Sequence, residues 1–132
     1  MLKERMALFG LPLPRYDGID SQWRGISLSV NAENMDTPLL IQVADSELLT
    51  AAETFTTLRA FQKPVEMHVF PQEFHVKVQP AHKAAVYKRN VQWFKFWLQN
   101  VEDPDPVDQD QYARWRRLRD ARASAERTNG HS

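Results

Sequence analysis

Two short apolar runs, separated by a helical pattern, organise the centre of the chain. Leu39–Ala44 is apolar at nearly every position, which is typical of a parallel strand covered on both faces. Val65–Phe70 alternates instead and places Glu66 and His68 on one side, which predicts a strand with one more polar face. We therefore expect two strands, the first enclosed by other elements and the second near an edge of the sheet.

The segment between these runs has the pattern of an amphipathic helix. Thr50 and Glu53 match a capping box, in which each side chain accepts a hydrogen bond from the other residue's backbone N–H. The apolar positions that follow share one helical face: Phe55, Leu58 and Phe61. The residue before a proline avoids helical backbone angles, so the helix is expected to end at Lys63 or before it.

The second half of the chain predicts two more helices. In residues 80–100 the apolar positions recur at helical spacing and predict a stripe that faces the core: Tyr87, Val91, Phe94 and Leu98, widened by Trp93 and Trp97. Pro104 and Pro106 then interrupt the chain. A further helix is expected over residues 109–122, and its packed side carries Tyr112, Trp115 and Leu118.

The order of elements is strand, helix, strand, loop, long helix and appended helix. This βαβα order predicts an α/β fold in which a right-handed crossover joins two parallel strands. Two strands are too few to complete a doubly wound sheet. We therefore expect the partner strands to lie in sequence outside this chain.

The composition predicts part of a single globular domain. The chain has 132 residues, of which 42% are hydrophobic. Lys and Arg number 17, as do Asp and Glu, so no net charge draws the chain to nucleic acid or a membrane. The lack of cysteine excludes disulfides and cysteine-ligated metals and fits a cytoplasmic location. No apolar run approaches the roughly 20 residues of a membrane span.

A basic segment near the C-terminus offers an alternative interpretation. Residues 114–119 combine four arginines with Trp115, a composition found in nucleic-acid-binding segments. Asp110, Asp120 and Glu126 interleave with them, and such charges pair along a helix. We therefore expect an amphipathic helix packed on the body of the protein, with no nucleic-acid partner.

The candidate chemistry lies directly after the two strands. Glu47 follows the first strand and His75 follows the second. An acid and a histidine in these places and in this order supply the last two members of the serine–acid–histidine triad in α/β-hydrolases. The Gly-x-Ser-x-Gly motif of the nucleophile is absent, and no serine has that context among the candidates Ser21, Ser27, Ser29 and Ser46.

Other assignments of these residues stay open from the sequence. Asp45 competes with Glu47 as the triad acid, or it caps the turn that follows. His75 has the simpler interpretation of a loop histidine that hydrogen-bonds its own turn. A metal site of His68, His75 and His82 lacks a ligand spacing such as His-Glu-x-x-His, so we expect neither a metal nor an organic cofactor.

Several short motifs between residues 37 and 98 resemble one known family. They are Thr37-Pro38-Leu39-Leu40-Ile41, Ala44-Asp45-Ser46-Glu47, Lys63-Pro64-Val65-Glu66, Phe70-Pro71-Gln72-Glu73-Phe74-His75, and Trp93-Phe94 with Trp97-Leu98. Together they resemble the C-terminal end of the prolyl oligopeptidase family of serine peptidases, whose catalytic domain is an α/β-hydrolase. Glutamate as the acid and the tail at residues 112–116, Tyr-Ala-Arg-Trp-Arg, are similar to lasso-peptide isopeptidases, which cut the isopeptide bond that closes a threaded peptide.

This resemblance implies a serine-type peptidase that transfers an acyl group to water, with His75 as general base and then acid, and Glu47 as its orienter. It implies an irregular lead-in at residues 1–37, the C-terminal portion of the hydrolase domain at 38–101, and a linker, appended helix and frayed tail at 102–132. The implied partners are a peptide substrate, a lasso peptide in the narrower match, and a missing upstream part of the domain. Without that part the chain is expected to be inactive.

One departure from the family and two other hypotheses bear on function. Leu49 stands where the family often has an arginine that contacts the substrate backbone, which argues against ordinary prolyl-peptide recognition. Outside catalysis, the chain is interpreted either as an interaction module that uses a strand edge and the 109–122 helix, or as a truncated remnant without activity. An uncovered apolar strand also predicts low solubility or partial folding of the isolated chain.

Overall fold

The structure, a computed structural model, describes residues 27–129. Its main elements are β1 (Leu39–Ala44), α1 (Leu48–Ala60), β2 (Val65–Phe70), α2 (Pro80–Phe94) and α3 (Gln109–Asn129). Shorter helices lie at Ala32–Asn34, Asp45–Glu47, Lys95–Gln99 and Pro106–Asp108. Most of the predicted lead-in, and Ser21 with it, lies outside the described residues. Both strands have the bounds that the sequence predicts.

β1 and β2 pair in parallel and without an offset at either end. Leu39 lies opposite Val65, and Ala44 lies opposite Phe70. Because the strands are parallel and end together, the turn after β1 and the loop after β2 leave the sheet at the same rim. The predicted α/β fold with parallel strands is confirmed, and this register brings the candidate site residues to one place.

Helices cover both faces of the two-stranded sheet. On one face, α1 and the Ala32–Asn34 helix enclose a core of Ala32, Leu58 and Val65, with Leu39 and Ile41 packed against it. On the other face, α2, the Lys95–Gln99 helix that continues it, and α3 form an aromatic core, against which Leu40 packs: Trp93, Phe96, Tyr112 and Trp115. The alternation of Leu39, Leu40 and Ile41 between the two cores is that of an extended strand. The result is a three-layer α/β/α arrangement.

The aromatic core joins α3 to the rest of the molecule. Trp115 is fully buried, and its ring meets Trp93 edge-on with centroids 5.0 Å apart. Tyr112 also packs against Trp115, with centroids 5.3 Å apart. Such edge-to-face pairs are favourable beyond the area that they bury. The prediction of an amphipathic helix that packs on the body of the protein is therefore confirmed.

The sheet face toward α2 and α3 carries polar residues that these helices satisfy. The Gln42 side-chain amide donates to Asn90 Oδ1 at 2.8 Å and accepts from the Arg89 guanidinium at 3.1 Å. Glu66, predicted to lie on the more polar face of β2, is largely covered and accepts from Arg114 Nε at 3.0 Å. The appended helix thus covers the polar side of β2 rather than leaving it to solvent.

The predicted core stripe of α2 is wrong for the four side chains that define it and right for Trp93, which is buried, and Trp97, which packs against the aromatic core. The four side chains that define it are between 53% and 77% exposed: Tyr87, Val91, Phe94 and Leu98. The residues that enter the core are Trp93 and Phe96. This helix is apolar on two sides, and its contacts with β1 and α3 decide which side is covered. Periodicity alone finds an apolar face but does not identify its partner.

The predicted start of α1 is also wrong. The helix begins at Leu48, directly after the 3-10 helix Asp45–Glu47, so Thr50 lies inside its first turn and does not cap it. The chain turns earlier than the capping-box pattern predicts because the 3-10 turn runs straight into the helix. At the other end, Gln62 has a left-handed φ of 56°, so α1 ends before Lys63 as expected.

The C-terminal helix is longer than predicted. It runs to Asn129 rather than to about Arg122, and an Arg122–Glu126 ion pair at 2.7 Å joins successive turns of the added part. Among the residues that the structure describes, no helix combines the length and the apolar character needed to cross a bilayer.

Candidate functional site

The two candidate side chains meet at the rim where β1 and β2 end. His75 Nδ1 lies 2.5 Å from Glu47 Oε1, which is hydrogen-bonding distance. The other carboxylate oxygen, Oε2, accepts from the backbone N–H of Ala44 at 3.1 Å. Because both oxygens have partners, the Glu47 carboxylate is held in one orientation toward the imidazole.

The electrostatics of this contact fix where the imidazole carries its proton. The Ala44 backbone N–H and, after it, the His75 imidazole lower the pKa of the Glu47 carboxyl below its ordinary value. An ionised carboxylate only accepts hydrogen bonds, so we assign the shared proton to His75 Nδ1. In a neutral imidazole this leaves the lone pair on Nε2, the nitrogen that takes the proton of the nucleophile in a triad.

The second ring nitrogen of His75 faces solvent. The His75 side chain is 88% exposed, whereas that of Glu47 is 31% exposed. Within residues 27–129, the only hydrogen-bond partner of the imidazole is Glu47. Beside it lies a cavity of about 340 Å³, lined by Gln42, Val76, Lys77, Lys83, Val86 and Tyr87 as well as His75. Nε2 is therefore accessible to a group that approaches from outside the described residues.

Asp45, the alternative acid, has different partners. One of its oxygens accepts from the backbone N–H of Ser46 at 3.0 Å, and the other accepts from the backbone N–H of Gln72 at 2.9 Å. The Gln72 bond is the main reason why the pKa of Asp45 is lowered. Asp45 caps its own turn and connects it to the loop after β2, and it forms no hydrogen bond with the imidazole. The geometry favours Glu47 as the partner of His75.

The segment Pro71–Gln79, here named the histidine loop, is organised by a buried carboxylate. The Glu73 side chain has no exposed surface and accepts from the backbone N–H groups of Val78 at 2.8 Å and Gln79 at 3.0 Å. It also bonds His82 Nδ1 at 2.9 Å. Burial alone opposes ionisation, but these donors outweigh it and lower the pKa of Glu73 to about 2.

Lys77 closes the same loop from the other side. Its ammonium donates to the carbonyl oxygens of Phe74 at 3.1 Å and His75 at 3.3 Å. It also lies 5.9 Å from the ring centroid of Phe70, the buried last residue of β2. The backbone on either side of the His75 side chain is thus held by the loop's own residues.

Sequence reasoning found the acid and the histidine but missed this support. Glu73 and Lys77 have no predicted role, and His82 enters only the metal site that the sequence argues against. The available signal for Glu73 was an acid in a loop that leads into a helix, where free backbone N–H groups gather. No pattern in the sequence marks Lys77, because its role depends on how the loop folds back.

The three histidines whose spacing argues against a metal site have separate partners. His75 bonds Glu47, His82 bonds Glu73, and the His68 ring packs against Phe70 with centroids 4.7 Å apart. In the described part of the chain, no three His, Asp or Glu side chains are gathered so that they hold a metal ion. Ser27, Ser29 and Ser46 likewise make no hydrogen bond to His75.

Comparisons with known proteins show which family carries this arrangement of strands and side chains. The sequence profile of the prolyl oligopeptidase family matches residues 15–101, which include both strands, Glu47 and His75. The chain belongs to the prolyl oligopeptidase family. The resemblance inferred from the short motifs is confirmed for the family and its α/β-hydrolase fold.

Within the prolyl oligopeptidase family, the chain is similar to an isopeptidase from Asticcacaulis excentricus. It is 54% identical to the lasso peptide isopeptidase AtxE2 over 97 residues, which are 74% of this chain and 14% of the relative. It superposes on AtxE2 bearing a serine-to-alanine substitution, with astexin3-dC4 bound, at a TM-score of 0.82, with 47% identity over 90% of this chain. Apo AtxE2 gives a TM-score of 0.81. The chain spans 18% of the length of either solved structure.

Proposed function

We propose that Glu47 and His75 are the acid and base of a serine peptidase site that hydrolyses peptide or isopeptide bonds when the hydrolase domain is complete. The observation that carries the proposal is the 2.5 Å contact between His75 Nδ1 and Glu47 Oε1 at the shared rim of two parallel strands. Membership of a peptidase family supports the same reaction class.

The proposed chemistry follows from the free lone pair on His75 Nε2. It accepts the proton of a serine hydroxyl while the serine oxygen attacks the carbonyl carbon of the substrate amide. The ionised Glu47 stabilises the imidazolium that results. The imidazolium then gives this proton to the leaving amine, and water hydrolyses the acyl-serine in a second round of the same transfers.

The proposed substrate class is an isopeptide-closed lasso peptide. The support is the 54% identity with AtxE2, whose name describes a lasso peptide isopeptidase and whose solved structure holds astexin3-dC4. Leu49 supports it further, because it is 89% exposed and leaves no cation where the family often has one. The serine is proposed to come from another part of the hydrolase domain.

An exposed apolar stripe supports the proposal that another part of the hydrolase domain packs against this chain. Tyr87, Val91, Phe94 and Leu98 lie on the outer face of α2 and its continuation, and large apolar patches on a protein surface mark interaction sites. Within the described residues, β1 and β2 also pair only with each other, which leaves both strand edges open. We propose that the remainder of an α/β-hydrolase sheet covers these surfaces.

A chimeric enzyme tests the proposal. Residues 37–101 of this chain replace the matched segment of AtxE2, and hydrolysis of astexin3-dC4 is followed by the mass gain of one water molecule. We expect the chimera to hydrolyse the peptide and His75→Ala to abolish hydrolysis. Glu53→Gln serves as control, because the Glu53 side chain is exposed and forms no hydrogen bond or ion pair with Glu47 or His75.

Two results would count against the proposed function. One is a folded chimera, verified by circular dichroism, that leaves the peptide intact. The other is hydrolysis that persists at the same rate in His75→Ala. The interaction-module hypothesis is favoured if the chimera is inactive while the unmodified chain binds a partner through its strand edge and the 109–122 helix.

A further inference from the structure

The position of the His75 side chain is not set by packing. The side chain is 88% exposed, and its one hydrogen bond within the described residues is the bond to Glu47. A long-lived contact between two side chains at a surface requires that the backbone of each be held, since exposed side chains otherwise lose their partner to solvent. The position of the His75 side chain must therefore be fixed by the backbone of the histidine loop.

Glu73 closes that loop around His75. It lies two residues before the histidine and accepts from the backbone N–H groups of Val78 and Gln79, which lie after it. Its third donor, His82, stands in the first turn of α2, so the loop is joined to the helix as well. The carboxylate thus connects both ends of a short segment with His75 between them.

Because Glu73 is buried, this connection favours one conformation of the loop. A carboxylate without exposed surface has no water to replace a lost donor, so it holds the loop in the one conformation that satisfies all its bonds. The neighbouring anchors are weaker candidates for this role. Asp45 accepts from one backbone N–H of the loop, that of Gln72, and is exposed. Lys77 donates to two carbonyl oxygens, those of Phe74 and His75, but both lie within the loop, so it does not join the loop to α2.

We propose that Glu73 is a positioning residue for His75, which fixes the histidine loop so that the imidazole meets Glu47 with its proton on Nδ1. The inference rests on the proposed function for its relevance to catalysis, but the placement of His75 is measurable without turnover. Glutamine at position 73 keeps the size of the side chain and replaces one acceptor oxygen by a donor. One backbone N–H, that of Val78 or Gln79, then faces another N–H instead of an acceptor.

The test uses the full 132-residue chain with ¹⁵N-labelled histidine and long-range proton–nitrogen spectra, which report the tautomer of each imidazole. His75→Gln assigns the His75 signals. We expect the unmodified chain to show His75 protonated at Nδ1. Glu73→Gln is expected to return His75 to the ordinary Nε2-protonated tautomer, and the exposed Glu33→Gln is expected to leave the signals unchanged.

The indole signals of Trp93 and Trp115 establish whether each variant is folded. If Glu73→Gln loses them, His82→Ala replaces it, because that change removes one donor and keeps the carboxylate. Partial loss of the Nδ1 tautomer in folded His82→Ala supports the proposal. An unchanged His75 tautomer in either folded variant overturns it.

The two proposals fail in different measurements. An inactive chimera with a His75 tautomer that responds to Glu73→Gln contradicts the proposed function and leaves the positioning role in place. An active chimera in which the His75 tautomer is unchanged by Glu73→Gln supports the proposed function and contradicts the positioning role.

Discussion

At the scale of single residues, the length of the Glu47 side chain decides which carboxylate reaches the histidine. Asp45 is nearer to the end of β1, but backbone N–H groups occupy both its oxygens. Glu47 lies two residues further along the turn, and its extra methylene brings Oε1 to 2.5 Å from His75 Nδ1. The sequence left Asp45 and Glu47 open as alternatives because their positions relative to the turn depend on a 3-10 geometry that no pattern predicts.

The first prediction separates these two acids. In the chimera, Glu47→Gln is expected to lower kcat by about 10⁴-fold, because the amide no longer holds the imidazole in the reactive tautomer. Glu47→Asp also lowers it, because the shorter side chain does not reach Nδ1. Asp45→Asn is expected to cost less, since an amide oxygen still accepts from Gln72. Steady-state kinetics decide the order, and a greater loss in Asp45→Asn would identify Asp45 as the triad acid.

The second prediction concerns the stability of the folded chain at low pH. The pKa of Glu73 is lowered from 4.5 to about 2 in the folded chain, so this carboxylate stabilises the fold fully above its unfolded pKa. That contribution declines as the pH falls below about 4.5 and is gone once Glu73 is protonated in both states, at a pH below its folded-state pKa of about 2. Asp45, Glu47 and Asp108 have lowered pKa values as well and act with the same sign.

Urea unfolding between pH 6 and pH 2 measures this effect. The free energy of unfolding is expected to fall with pH in the unmodified chain and to fall less steeply in Glu73→Gln, which lacks the titrating group. Equal slopes in the two proteins would show that the Glu73 carboxylate is not held in the folded state as described.

At the scale of elements, the sequence identified every strand and long helix within the described residues but not all of their contacts. The bounds of β1 and β2 follow from apolar and alternating runs, whose length and composition suffice for a strand. The covered side of α2 followed only in part, because this helix is apolar on two sides. Trp93, predicted to widen the stripe, is buried, whereas Tyr87 and Phe94, predicted to define it, are exposed. Tertiary contact selects between two such sides.

The third prediction tests the end of α1. Gln62 has a left-handed φ of 56° just past this helix. This conformation raises the free energy of a residue with a Cβ but not that of glycine. Gln62→Gly is expected to raise the free energy of unfolding by about 0.5–1 kcal/mol, the relief of strain less the entropy that glycine loses on folding. Gln62→Ala keeps the Cβ and is the control. Thermal unfolding that shows the same gain in both variants would rule out backbone strain as the cause.

At the scale of the whole molecule, two cores are well buried and one long apolar surface is not. Trp115 and Tyr112 close the core between the sheet and α3, whereas the outer side of α2 remains exposed. Low solubility is expected from the uncovered flank of β1. The exposed side of α2, which periodicity predicts to face the core, is a second reason to expect it. Within residues 27–129, no element covers these surfaces.

The fourth prediction concerns this exposed side of α2. The isolated chain is expected to self-associate through Val91 and Leu98, which are both more than half exposed. Val91→Gln with Leu98→Gln is expected to reduce the associated fraction without changing the circular dichroism spectrum. Light scattering after size-exclusion chromatography measures it. A monomeric unmodified chain, or association that the double variant does not reduce, would remove the stripe as the cause.

The central claim is that Glu47 holds the proton of His75 on Nδ1 and leaves Nε2 as the base. The most direct measurement is the long-range proton–nitrogen spectrum of the unmodified chain beside that of Glu47→Gln, at a pH where the imidazole is neutral. We predict a protonated Nδ1 and a bare Nε2 in the unmodified chain, with loss of this tautomer in the variant. A proton on Nε2 in both proteins would contradict the account.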